Sequence, residues 1–246
     1  MKLGSIDINQ LYLGSTEINK AYLGSTLVFD TTNEAASGYD ISNAYYNGVT
    51  ISTSAQTSAP QDLCFGDDGA KIYITSSNPD YVYQYNLSTA YDLSTASYAS
   101  KSFYIGSQET LSRAVYMKSD GTKMYVLGGN DYVYQYTLST PWDVSTASYD
   151  SKSFDVTVAE GLDLKAYING VTFSADLSIM LVPTAYGIVF QFDLSMAGDV
   201  STASYNDVSF DFSATEGNPT GAQYNDDGTK LFLSGNGADV LYEIDL

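Results

Sequence analysis

Apolar and polar residues alternate along this chain in short runs separated by polar turns. LCFGDDGAKIYI, VYMKSDGTKMYV, VTFSADLSIMLV and AQYNDDGTKLFL each hold two apolar runs around a turn that contains Asp. Run, turn and run predict a β-hairpin, with Asp-Gly as the favoured turn pair. The turn aspartates Asp68, Asp120, Asp176 and Asp227 are spaced 52, 56 and 51 residues apart. A third run follows each hairpin: YVYQYNL, YVYQYTL, IVFQFDL and VLYEIDL, centred on Gln84, Gln135, Gln191 and Glu243. One face of this run carries Tyr81, Tyr83 and Tyr85 in the first copy and Ile188, Phe190 and Phe192 in the third. The other face carries Val82, Val133, Val189 and Leu241. A strand that is apolar on both faces must be covered on both. Next comes a connection, DLSTASY at 92–98 and DVSTASY at 143–149 and 199–205. A fourth strand is expected after it, as in KSFYI at 101–105 and KSFDV at 152–156.

Four-stranded units repeating about every fifty residues predict an all-β fold, a β-propeller. The order of pieces predicts how it closes. The chain enters the repeats at GYDISNAYYNGVTIS, 38–52, which reads as a connection and a fourth strand alone. It ends on VLYEIDL, a third strand. Joining the two gives four complete blades in a closed ring without open edges.

Residues 1–30 follow a different period, of ten. LGSIDINQLY, LGSTEINKAY and LGSTLVFD align Leu3, Leu13 and Leu23, and likewise Ile8 with Ile18 and Tyr12 with Tyr22. Each copy reads as a short strand and a Gly-Ser turn. So few short strands cannot enclose a core. These seven apolar residues are therefore the expected contact surface for copies of the chain or for a larger assembly. TTNEAAS at 31–37 reads as a linker, and 38–246 as the propeller.

Composition narrows the function classes. The formal net charge is −19, from 10 basic and 29 acidic residues. That balance repels phosphate backbones and anionic membranes, so neither is an expected partner. No His is present, which removes the commonest general base and zinc ligand. The single Cys64, in the apolar run LCF, reads as a buried thiol. MKLGSIDINQ lacks the apolar core of a signal peptide, and no apolar run is long enough to span a bilayer. No metal site, cofactor or catalytic constellation is expected.

The repeated acids read as architecture. Asp in the hairpin turns, and Asp92, Asp143 and Asp199 in the connections, close turns onto nearby backbone. Glu109, Glu160 and Glu216 recur before successive first strands, which argues the same way. Asp62, Arg113, Asp163 and Lys165 do not repeat and are the candidates for a specific ligand site. Arg113 is the only Arg. The 23 Tyr suit recognition, since each offers a flat apolar ring and a hydroxyl. Tyr45, Tyr98, Tyr149 and Tyr205 are expected to be half-exposed. A carboxylate pair for glycoside cleavage is the enzymatic alternative.

SDGTKMYVLGG, YVYQYTLSTPWDVSTASY and EGNPTGAQYNDDGTKLFLSG resemble propeller repeats of bacteriophage and marine viral structural proteins. They resemble more distantly the DGTKLYV-type repeats of lactonase-like propellers. The third copy departs from the pattern, with ADLSIM in place of DGTKMY. LGSTEINKAYLGST resembles opening segments of phage tail and baseplate proteins. Together the resemblances imply a non-enzymatic virion protein, made in the host cytoplasm. Its N-terminal module would attach to other virion proteins, and its propeller would meet a host-surface glycan or protein. Resemblance to tail appendages implies a homotrimer. The alternative is a depolymerase acting on host polysaccharide.

Overall fold

A computed structural model describes residues 48–158, 168–224, 228–235 and 240–246, and the backbone of 11–13, 16–18, 20–23 and 26–30. The chain divides into two compact units, Met1–Val49 and Thr50–Leu246. In the first, β1 (Leu11–Leu13) pairs with β2 (Thr16–Ile18), and β3 (Lys20–Leu23) with β4 (Thr26–Asp30), both antiparallel. The ten-residue repeat thus forms two pairs of antiparallel strands. Leu3 and Ile8 lie outside the described residues. Tyr12, Leu13, Ile18, Tyr22 and Leu23 lie on these strands.

The second unit is a four-bladed β-propeller of antiparallel sheets. Blade 1 is β5 (Pro60–Gly66), β6 (Lys71–Ser77), β7 (Asp80–Leu87) and β8 (Ala96–Tyr104). Blade 2 is β9 (Ser112–Met117), β10 (Lys123–Gly128), β11 (Tyr132–Leu138) and β12 (Ala147–Asp155). Blade 3 is β13 (Thr172–Phe173), β14 (Ile179–Pro183), β15 (Ile188–Leu194) and β16 (Ala203–Asp211). Blade 4 shows β17 (Pro219–Tyr224), β18 (Lys230–Gly235) and β19 (Val240–Asp245) among the described residues. The closing strand expected over 38–52 lies outside them, apart from 48–52, which form no strand. Fourth strands also start earlier than expected. The ASY of each connection is already strand, and a bulge with positive φ at Ser100, Ser151 and Asp207 separates it from the rest. A bulge lets one strand keep pairing while its twist changes.

Blades pack face to face through the residues that were apolar on both strand faces. Tyr73, Val82 and Ile105 of blade 1 meet Met124, Val126 and Tyr136 of blade 2. Tyr125, Leu127 and Val133 of blade 2 meet Phe173, Met180 and Phe192 of blade 3. The Tyr125 and Phe173 rings lie 4.6 Å apart, in a tilted pair. Leu181 and Val189 of blade 3 meet Leu231 and Leu233 of blade 4.

The connection adds a polar lock to the first two interfaces. Asp143 caps a short 3-10 turn, Val144–Thr146, by accepting from the Ser145 N–H at 3.1 Å. Its other oxygen receives the Lys101 ammonium of the preceding blade at 2.6 Å. The Val144 N–H donates to Gln84 Oε1 at 3.0 Å, and the Tyr73 hydroxyl donates to the Trp142 carbonyl at 2.8 Å. The next interface repeats every contact. Lys152 meets Asp199 at 2.5 Å, the Val200 N–H meets Gln135 at 3.0 Å, and the Tyr125 hydroxyl meets the Gly198 carbonyl at 2.8 Å. Blade 3 has Leu181, Gln191 and Val208 where blades 1 and 2 have Tyr, Gln and Lys, so only the amide remains. The turn expected to meet it, DISNAYY at 40–46, lies outside the described residues.

Candidate functional site

The first strands of all four blades line one axial cavity of about 510 Å³, with Asp62, Ala114, Gly170 and Gly221 at equivalent positions. Three of these residues are small, and Asp62 is the exception. Its carboxylate accepts the Val115 N–H at 3.0 Å. Loss of solvation raises its pKa above the ordinary value, although the Val115 and Leu63 N–H groups oppose the rise. Cys64 also lines the cavity; the residue is half-buried as a whole, while its thiol is desolvated, as the apolar run LCF led one to expect. It also packs against the core between blades 1 and 2. Desolvation and the nearby Asp62 charge push the thiol well above its usual range, so it stays protonated and weakly nucleophilic.

Among the described residues, one side of the cavity is open, the face that blade 1 turns toward blade 4. Leu63 is 54% exposed and Phe65 40%, while their equivalents Val115 and Met117 in blade 2, and Val171 and Phe173 in blade 3, are all at or below 6%. Tyr91 adds a second exposed ring, 5.3 Å from that of Phe65. It holds a positive φ of 59°, as its equivalent Trp142 does at 64°. The third copy places Gly198 there, the residue that tolerates this backbone without strain. The Trp142 ring covers Gly121 and reaches Gly66 of blade 1, so a side chain at either glycine would collide with it. Tyr91 covers Gly69 in the same way but stays open to solvent.

A second cavity, about 420 Å³, is lined by Gln61, Ser77, Leu111, Ser112, Arg113 and Asn169. Asn169 lines both cavities. Arg113 Nη1 donates to the Ile168 carbonyl at 3.1 Å and to Asn169 Oδ1 at 3.4 Å. The Asn169 amide in turn donates to the Pro219 carbonyl at 2.9 Å, tying blade 3 to blade 4.

Of the four non-repeating candidates, Asp62 and Arg113 therefore sit on neighbouring first strands and line adjacent cavities. Asp163 and Lys165 lie outside the described residues, as do Asp227, Glu160 and Tyr45. Glu109 and Glu216 are buried and accept the N–H groups of Leu111 and Asn218 at 2.6 and 2.8 Å. They hold the loop ahead of each first strand. Asp120 and Asp176 close their hairpins through Thr122 and Ser178, which accords with a turn role. Tyr98, Tyr149 and Tyr205 are half-buried against the third strands. Sequence reasoning missed Leu63, Phe65, Tyr91, Ser112 and Asn169. Only Tyr91 carried a signal, because the residue before each connection Asp changes from Tyr to Trp to Gly while the rest repeats.

No protein-family model and no curated protein matches the sequence. Solved structures do match. One, from Bacteroides uniformis, is described as a "putative 6-phosphogluconolactonase"; it aligns at TM-score 0.52 and 12% identity over 76% of this chain. Another of the same description, from Bacteroides fragilis, aligns at 0.51 and 14% over 76%. The chain spans half the length of each. At such identities the likeness shows the propeller fold alone, because one fold hosts many functions.

Proposed function

We propose that this chain is a non-enzymatic bacteriophage virion protein, anchored by its N-terminal repeat module and displaying the propeller to a host-surface ligand. The observation that carries the recognition half is the exposure of Leu63, Phe65 and Tyr91 beside an axial cavity, where the equivalent residues of blades 2 and 3 are covered or wedged. Exposed aromatic rings beside carboxylate and amide groups suit sugar rings, which present apolar C–H faces and hydroxyls together. The anchoring half takes its support from the division into two compact units and from paired strands too short to enclose a core. Its partners are then other virion proteins and further copies of the chain, with a trimer suggested by resemblance to tail appendages.

Deleting residues 1–30 should leave a folded propeller that is missing from purified particles. Normal incorporation of that truncated chain would sink the anchoring half. Replacing Phe65 and Tyr91 together by Ala should leave incorporation intact and lower adsorption to host cells about tenfold, the worth of one lost stacking contact. Unchanged adsorption would sink the recognition half.

A propeller glycosidase is the second reading, and its support is Asp62, a desolvated carboxyl with a raised pKa inside the cavity. It requires cleavage of host polysaccharide that Asp62→Asn abolishes.

A further inference from the structure

Every lysine whose side chain is described is paired: Lys71, Lys101, Lys118, Lys123, Lys152 and Lys230 each meet a carboxylate. Arg113 is the one basic side chain among the described residues that meets none, in a chain of net charge −19. Its two hydrogen bonds go to neutral oxygens and use Nη1 alone. The Nε–Nη2 edge has no partner among the described residues. That edge presents two parallel N–H donors, the fork that fits a carboxylate. Ser112 lines the same cavity, is 1% exposed, and its hydroxyl has no hydrogen-bond partner among the described residues. A buried hydroxyl without a partner costs stability, and a ligand oxygen would satisfy it.

We infer that the Arg113 cavity is a subsite for the carboxylate of an acidic sugar. The assignment rests on the reading that the propeller binds host polysaccharide, and it names the class of polysaccharide. One guanidinium can neutralise one charge, so a carboxylate fits better than a dianionic phosphate in so acidic a protein. Remote carboxylates are screened beyond about 8 Å at physiological salt, and no described carboxylate lines this cavity. Gln61, Ser77 and Asn169 supply neutral donors and acceptors for hydroxyls. Asn169 joins this subsite to the axial cavity, where the uncharged part of the ligand would lie.

Two measurements on the full chain test this. In the first, glucuronate is titrated while the Arg113 Nε–H resonance is followed by NMR, with inorganic phosphate and a short peptide with a free C-terminus run in parallel. Glucuronate should shift the resonance saturably and more tightly than either comparator. No shift at 100-fold excess over protein overturns the subsite, and tighter binding by phosphate or peptide overturns the sugar assignment. In the second, calorimetry compares a trisaccharide bearing one glucuronate with the same sugar reduced to the alcohol. The acid should bind about tenfold more tightly, as a charge-assisted pair warrants. That preference should shrink in Arg113→Lys and vanish in Arg113→Met, with the reduced sugar unaffected. A preference retained in Arg113→Met overturns the inference and leaves the polysaccharide reading standing. Saturable glucuronate binding with no affinity for either trisaccharide overturns the polysaccharide reading and the class drawn from it, and leaves a bare carboxylate site.

Discussion

DLSTASY at 92–98 and DVSTASY at 143–149 differ by one methylene-scale change, yet they do different work. Inside the turn the two are alike. Asp92 and Asp143 each accept from the Ser two residues on, and Thr95 and Thr146 each bond back to the Asp carbonyl at 2.8 Å. Outside the turn they part. Asp143, Val144 and the Trp142 carbonyl engage Lys101, Gln84 and Tyr73 of the blade before. Among the described residues, Asp92 bonds only within its own turn. Val144 is fully buried, whereas Leu93 is half-buried. A repeated sequence therefore repeats its local structure for certain, and its tertiary role only where the facing surface also repeats.

The harshest way to break this contrast is to place a charge under each turn. Val144→Asp should cost about 3–5 kcal/mol, because an unpaired carboxylate would be buried. Leu93→Asp should cost about 1 kcal/mol, since that site reaches water. Urea midpoints of the two variants would decide; equal losses would mean that both turns are docked alike. Removing the cap should be milder. Asp143→Ala should cost about 2 kcal/mol, from a lost cap and a lost ion pair, and Asp92→Ala about 1 kcal/mol, from the cap alone.

The smallest effect should be in the acid range. Desolvation opposes ionisation of Asp143, but the Lys101 ammonium and the Ser145 hydroxyl and N–H outweigh it and hold the pKa below the ordinary value. Asp199 is held down in the same way by Lys152 and Ser201. A depressed carboxylate contributes stability that is present above the unfolded pKa of about 4 and is lost as pH falls through the folded value. Lys101→Met should therefore cost under about 1 kcal/mol at pH 7, and less as pH falls through the depressed pKa of Asp143 and the carboxylate is lost. A loss that grows on acidification would contradict the ion pair.

Much of this fold was legible because strand periodicity, turn chemistry and repeat spacing are local. The hairpins at Asp68, Asp120 and Asp176, the doubly apolar third strands and the turn role of the connection acids could all be read from adjacent residues. The early start of the fourth strands was missed because the bulge at Ser100 and Ser151 breaks the alternation that signals a strand. For the site, absence of repetition picked out Asp62 and Arg113. It could not show that Asn169, 56 residues beyond Arg113, stands between their cavities.

By itself the sequence determined the four-fold repeat, the blade as its unit and the turns that join strands, since each depends on residues within one hairpin's reach. Only the tertiary structure decided which copies of a turn are locked to a neighbour, which inner-strand apolar residues stay open, and which cation is left without a carboxylate. Those outcomes depend on pairs of surfaces far apart in the chain. A lysine or a ring reads the same in sequence whether or not anything comes to meet it.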